Sequence, residues 1–152
     1  CHLLIPRVGP SSRHQHSIRR YREALGEKSG FVSVLRFVYA AETKREAQQQ
    51  TQRTIARYAK YDCGIDWNGR TDTQEYVDLI HRLNAVIGTP DQIIEQLQQW
   101  QQETFFEEIM CQVYAAGMRH EDSLRSIQLL GHEVLPRLQS EGEVPGTEAQ
   151  LS

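Results

Sequence analysis

Apolar residues in this chain come in two textures that take turns: short unbroken runs, and longer stretches with a repeat near 3.6. Leu3-Leu4-Ile5 is such a run, closed by Pro6 and then Gly9-Pro10, and it predicts a buried strand followed by a turn. Ser11 or Ser12 can cap a helix on which Ile18, Tyr21 and Leu25 share one face, with Gly26 and Gly30 marking its exit. Phe31 to Ala41 is nearly continuous in β-branched, aromatic and aliphatic residues, as expected of a parallel strand covered on both faces. Thr43-Lys44-Arg45-Glu46 has the form of a capping box opening a polar helix with Ala47, Ile55, Ala56 and Ala59 toward the core. Residues 60–72 gather turn formers around Trp67 and predict an inserted loop. A helix over 73–83 follows, with Tyr76, Val77, Ile80 and Leu83 inward. Gly88-Thr89-Pro90-Asp91-Gln92 supplies a turn, an N-cap, a first-turn proline and an N3 partner for a helix carrying Ile93, Ile94, Leu97 and Trp100. Ile109 to Val113 is the third strand, Gly117 turns the chain, and a last helix carries Leu124, Ile127, Leu130, Val134 and Leu138. Residues 140–152 are polar with Pro and Gly and predict a flexible tail.

Alternation of strand and helix predicts an α/β fold with parallel strands. Three strands do not close a barrel, and an eight-stranded β/α barrel needs roughly 250 residues. The 152 residues therefore suit a partial TIM-type β/α barrel, its last three or so βα units, with 1–139 as the barrel part. Composition narrows the function classes. With 39% hydrophobic and 24% charged residues the chain is globular in character, not disordered. A net charge of -3 argues against nucleic acid or an anionic membrane surface as partner. No apolar run approaches the ~20 residues a membrane span requires. Cysteines at 1, 63 and 111 have no metal-ligand or disulfide spacing, so a reducing cytoplasm is the simpler setting, with Cys111 a buried inert thiol. Residue 1 is Cys, and the opening His2-Leu3-Leu4-Ile5-Pro6 has the character of the inside of a fold, so more chain is expected upstream.

Four segments in order resemble the luciferase-like flavin-dependent monooxygenases. Val86-Ile87-Gly88-Thr89-Pro90-Asp91-Gln92-Ile93 resembles that family's GTP-type helix start, and residues 38–47 its strand ending in a Thr-x-x-Glu-Ala turn. Residues 117–124 and 133–138 resemble its last strand-to-helix turn and closing helix. Leu4-Ile5-Pro6-Arg7 and Tyr21-Arg22-Glu23-Ala24 fall in the same order, so the resemblance covers about 3–138. It implies the C-terminal portion of a barrel that binds reduced FMN, or in some members a deazaflavin, at the C-terminal ends of its strands. It also implies an enzyme that uses that flavin and oxygen to oxidise a small organic substrate. The family's phosphate-holding loop lies upstream of the strand at Leu3–Ile5, so this chain by itself is expected to bind flavin weakly and to be inactive. Homodimerisation of the full-length protein is a further expectation. The alternatives are a non-catalytic flavoprotein-like or half-barrel interaction module of the same ancestry, and an unrelated α/β domain.

In such barrels the residues just after each strand carry the chemistry. The first strand offers Pro6 and Arg7, with Arg7 either facing the flavin or solvated in a loop. The third offers Gln112, an amide in an apolar strand that needs hydrogen-bond partners, from flavin, substrate or backbone. These three are the candidate cofactor contacts. Tyr39 and Tyr114 are candidate substrate contacts, although a tyrosine at the place of Tyr39 is more often a packed aromatic with a satisfied hydroxyl. Glu42 reads as an acceptor or a helix-dipole partner. His120 is an acid–base candidate that also suits a helix start. Tyr61 and Trp67, in the inserted segment, are candidate lid residues over the substrate. His14 and His16 have no neighbouring cysteine or carboxylate to complete a metal site, and the arginines at 13, 19, 20 and 22 read as the solvated face of an outer helix.

Overall fold

The computed structural model describes residues 2–7, 11–26, 28 and 30–142. Element order is β1 (His2–Ile5), α1 (Ser11–Leu25), β2 (Phe31–Ala40), α2 (Lys44–Cys63), α3 (Gln74–Leu83), β3 (Ala85–Gly88), α4 (Pro90–Thr104), β4 (Glu108–Gln112) and α5 (His120–Leu129). A π-helical turn over Leu130–Val134 leads into α6 (Leu135–Gly142). Every strand pair is parallel. β2 is the centre: β1 lies along its first half, with Leu3 beside Val32 and Ile5 beside Val34. β4 takes the opposite edge, from Ser33 beside Glu108 to Phe37 beside Gln112. The three strands expected from the sequence thus lie side by side in one direction. A fourth strand was not anticipated. Ala85–Gly88 pairs with Phe37–Ala40, taking over the edge of β2 where β1 ends at Pro6. Four residues bounded by an asparagine and a capping threonine are too few to show a period.

The two faces of β2 are covered by different helices, which explains its unbroken apolar run. Ile5, Val32 and Val34 pack with Ile18 of α1 and with Phe106. Val38 and Ala40 pack with Ile93, Ile94 and Leu97 of α4 and with Leu130 and Val134. On the other face Phe37, Tyr39 and Ala41 meet Ala47, Ile55 and Ala59 of α2, Tyr76, Leu79 and Leu83 of α3, and Trp67 between them. This second face corresponds to the inside of a β/α barrel. α2 and α3 cover only its C-terminal half; further down, Leu4 and Met110 are 54% and 44% exposed.

Several local expectations need correction. Helix α2 continues through Lys60–Cys63 and stops at Gly64, whose φ of 66° lets its N–H reach the carbonyls of Ala59 and Lys60. The irregular backbone is therefore 64–73, shorter than 60–72 implied at its start. Val77 is exposed and Leu79 takes its place in the core of α3. Leu124 and Ile127 of α5 are also exposed, and the buried positions are Ser123 and Ser126. Small residues let α5 approach the end of β2, where the Ala40 N–H donates to Ser126 Oγ at 2.9 Å. Cys111 is exposed, because the outer edge of β4 is open. Helix α6 runs to Gly142; the rest of the expected tail, 143–152, lies outside the described residues.

Candidate functional site

Side chains from β1, α2 and β4 converge beside the C-terminal end of β2. Pro6 ends β1 and presents Arg7, whose guanidinium carbon lies 3.7 Å from the centroid of the Tyr58 ring. Its Nη2 donates to Asp62 at 2.6 Å, one turn further along α2. The Arg7 side chain is only 11% exposed, and its Nη1 is buried without a hydrogen-bond partner. Tyr58 also takes the edge of Phe37, with ring centroids 5.7 Å apart, and the Gln112 side chain lies close enough to its hydroxyl to act on the phenol. Burial holds the Tyr58 phenol above its usual range, assisted by Asp62 and opposed by Arg7 and Gln112. The hydroxyl is therefore neutral at ordinary pH and available as a donor. Two of the three residues read from the sequence as cofactor contacts, Arg7 and Gln112, are in this way linked through one tyrosine. Pro6 contributes backbone: its carbonyl accepts from Arg36 Nη1.

Tyr58 and Asp62 were not found by sequence reasoning. They sit 51 and 55 positions after Arg7 on a helix whose other residues are mostly polar, and no local pattern marks them. Their spacing of four does place them on one helix face, but that face is only meaningful once α2 is known to cross the end of the sheet.

The remaining candidates divide. Tyr39 is fully buried, donates to Gln50 Oε1 at 2.9 Å, and stacks on Phe37 with centroids 6.4 Å apart. Burial, with Asp122 nearby, pushes its phenol up to about 12. It is a wall of the same face. Trp67 is 8% exposed and stacks on Tyr76, with its indole N–H buried and without a partner. Tyr61, by contrast, is 74% exposed with Arg57 near its ring, so one expected lid aromatic is buried and the other is in solvent. Tyr114 is exposed beyond β4. His120 is exposed at the first turn of α5, where Arg119 pairs with Glu121. Glu42 is exposed beside Glu46, which closes the capping box of Thr43. The structure does not bring Tyr61, Tyr114 or His120 to the Arg7–Tyr58–Gln112 cluster.

Reduced flavins carry an electron-rich pyrimidine edge, and a buried cation with an unused N–H is the chemistry that edge needs. Arg7 Nη1, the Tyr58 hydroxyl and the Gln112 amide form a donor set of that type. No group of three or more His, Cys, Asp or Glu side chains among the described residues is arranged to hold a metal ion. No described helix is long and apolar enough to cross a membrane.

No family model and no curated protein matches the sequence. Solved structures do match the fold. The monooxygenase RslO1 from Streptomyces bottropensis superposes with a TM-score of 0.68 at 23% identity, over 90% of this chain and 41% of that one. The oxygenating constituent of 3,6-diketocamphane monooxygenase from Pseudomonas putida, solved with FMN, gives 0.63 at 16% identity, over 89% and 42%. The coenzyme F420-dependent tetrahydromethanopterin reductase from Methanopyrus kandleri gives 0.58 at 15% identity, over 90% and 45%. The likeness is one of fold: this chain has the architecture of part of the parallel β/α fold that these structures share. It spans about two fifths of the length of the structures it matches.

Proposed function

We propose that this chain is the C-terminal portion of a flavin-dependent oxidoreductase that uses reduced FMN and oxygen to oxidise a small organic substrate. A deazaflavin is the alternative cofactor. The observation that carries this reading is the buried, unpaired Arg7 Nη1, held against Tyr58 at the strand ends. A buried guanidinium N–H without a partner costs ~1–3 kcal/mol, a cost that a bound anionic edge removes. Matched structures that bear FMN or act with coenzyme F420 give the same class of cofactor.

In this reading Arg7 binds the electron-rich edge of the flavin, and Asp62 fixes the guanidinium from behind. Gln112 and the neutral Tyr58 hydroxyl orient the ring by hydrogen bonds. Phe37, Tyr39, Trp67 and Tyr76 wall the site and exclude water. When bound, the flavin supplies the redox chemistry toward oxygen and substrate, and the protein supplies position and electrostatics. The irregular segment 64–73 lies over this wall and is the natural place for substrate selection. The thiols of Cys63 and Cys111 are unpaired, which suits a reducing, cytoplasmic setting.

Oxygen uptake by the full-length protein supplied with reduced FMN tests the reading. Uptake above that of free reduced FMN, reduced at least tenfold by Arg7→Met, is the expected result. FMN binding without any change in uptake would instead favour a non-catalytic flavoprotein, and neither would remove flavin from the account.

A further inference from the structure

Arg7 lies just beyond the end of β1, outside any regular element. Two buried side chains from elsewhere grip its backbone. Asn84 Nδ2 donates to the Arg7 carbonyl at 3.0 Å across 77 positions of sequence. Arg36 Nη1 donates to the preceding carbonyl, that of Pro6, at 3.2 Å. Both residues are nearly inaccessible, at 1% and 5% exposure.

Neither is an ordinary choice for its position. Asn84 ends α3 in the left-handed region, at φ 49° and ψ 41°, where glycine or asparagine is favoured. Glycine would satisfy the backbone equally well; only asparagine adds an amide that reaches back to Arg7. Arg36 sits mid-strand in β2, on the face covered by α1 and α4, with no carboxylate bonded to it. Burial lowers its guanidinium to about 10, so it still carries its charge at neutral pH. Its Nη1 donates to the carbonyls of Pro6 and Leu35, its Nη2 faces His14 Nδ1 at 3.4 Å, its Nε is buried without a partner, and its guanidinium lies over the Trp100 ring. A buried cation whose main contacts are main-chain oxygens acts on backbone geometry.

We propose that Asn84 and Arg36 are positioning residues which clamp two successive carbonyls of the backbone just after β1 and so aim the Arg7 guanidinium at the flavin edge. The proposal rests on the flavin reading for its functional consequence, but the clamp itself is a matter of protein geometry. Asn84 is also the joint between α3 and β3, so one side chain ties that joint to the backbone that presents Arg7.

The test uses the full-length protein and two variants, Asn84→Gly, which keeps the left-handed backbone and loses the amide, and Asn84→Asp, which keeps the shape and loses the donor. The first readout needs no ligand. The Arg7 side-chain NMR signal lies over the Tyr58 ring and is shifted upfield by it; its loss in Arg7→Met identifies it. The signal should relax toward its unshifted position in both Asn84 variants while thermal unfolding remains cooperative. The second readout is FMN dissociation. Each Asn84 variant should weaken FMN about tenfold, on the order of one well-made hydrogen bond to a charged group, and adding Asn84→Gly to Arg7→Met should cause no further loss. An Arg7 signal that stays upfield in the folded Asn84 variants overturns the clamp. If Arg7→Met leaves FMN affinity unchanged, the flavin reading fails on its own, and the NMR arm still decides the clamp.

Discussion

At the scale of single residues, the site is a problem of one cation with three uses for its donors. Arg7 spends Nη2 on Asp62 and its π-facing surface on Tyr58, and keeps Nη1. Replacing Asp62 with Asn leaves the guanidinium without its anchor, so FMN affinity should fall several-fold in a binding titration; unchanged affinity would show that the ion pair is incidental. A second prediction concerns acid stability. Burial pushes the Glu107 carboxyl up, but hydrogen bonds from Arg22 and the Val32 N–H outweigh it and hold the group below the usual carboxylate range. A carboxylate depressed in the folded state stabilises it above the unfolded value, and that contribution disappears as pH falls through the depressed one. Glu107→Gln should therefore lower the melting temperature at neutral pH and flatten its decline on the acid side; parallel curves for the two proteins would contradict the assignment. Arg7 was legible by its place just after a strand, and Gln112 as an amide in an otherwise apolar strand. Tyr58 and Asp62 were not, because a tyrosine and an aspartate in a polar helix break no pattern.

Element by element, the capping chemistry was the most legible part of the fold. Thr43 with Glu46, and Thr89 with Gln92, each form both halves of a capping box. Gly88 suits the second: a methyl group there would lie 2.6 Å from Gln92 Oε1, the atom that accepts from the Thr89 N–H, and would displace that side chain. Thr89→Ala and Gly88→Ala should each cost about 1 kcal/mol in denaturant unfolding; a loss near zero would mean the cap is frayed in solution. Strand β3 was illegible for the opposite reason, being four residues with no period of its own. Helix α5 misled because helical spacing alone put Leu124 and Ile127 inward. Its contact with β2 is instead made by Ser123 and Ser126, since a close approach to the Ala40 N–H excludes large side chains. An apolar stripe reports a face that will be covered, without saying by what.

The whole molecule answers that question in part. A groove of about 230 Å³ runs along the outer side of β4, lined by Leu97, Ile109, Val113, Leu130, Val134 and Leu138, with Cys111 in its wall. Those apolar surroundings raise the Cys111 thiol by desolvation. The adjacent strand edge carries no partner among the described residues, and Leu4 and Met110 are exposed on the inner face. Open edge, open groove and open inner face are all explained if the sheet is an arc of a larger ring, and the chain spans about two fifths of the matched structures. The 152-residue chain on its own should accordingly bind a dye for exposed apolar surface strongly, and the full-length protein should not; equal dye binding would argue that the sheet is complete as an arc. The α/β class and parallel direction were readable from texture alone, whereas crossing of the inner face by α2 depended on contacts that no local window contains.

Equilibrium titration of FMN into the full-length protein, followed by quenching of flavin fluorescence, bears on the central claim most directly. The account predicts saturable one-to-one binding that weakens at least tenfold in Arg7→Met and measurably in Gln112→Leu, with the melting temperature of both variants little changed. Binding that is equally tight in wild type and Arg7→Met, or no quenching by FMN or a deazaflavin at any concentration, would contradict it.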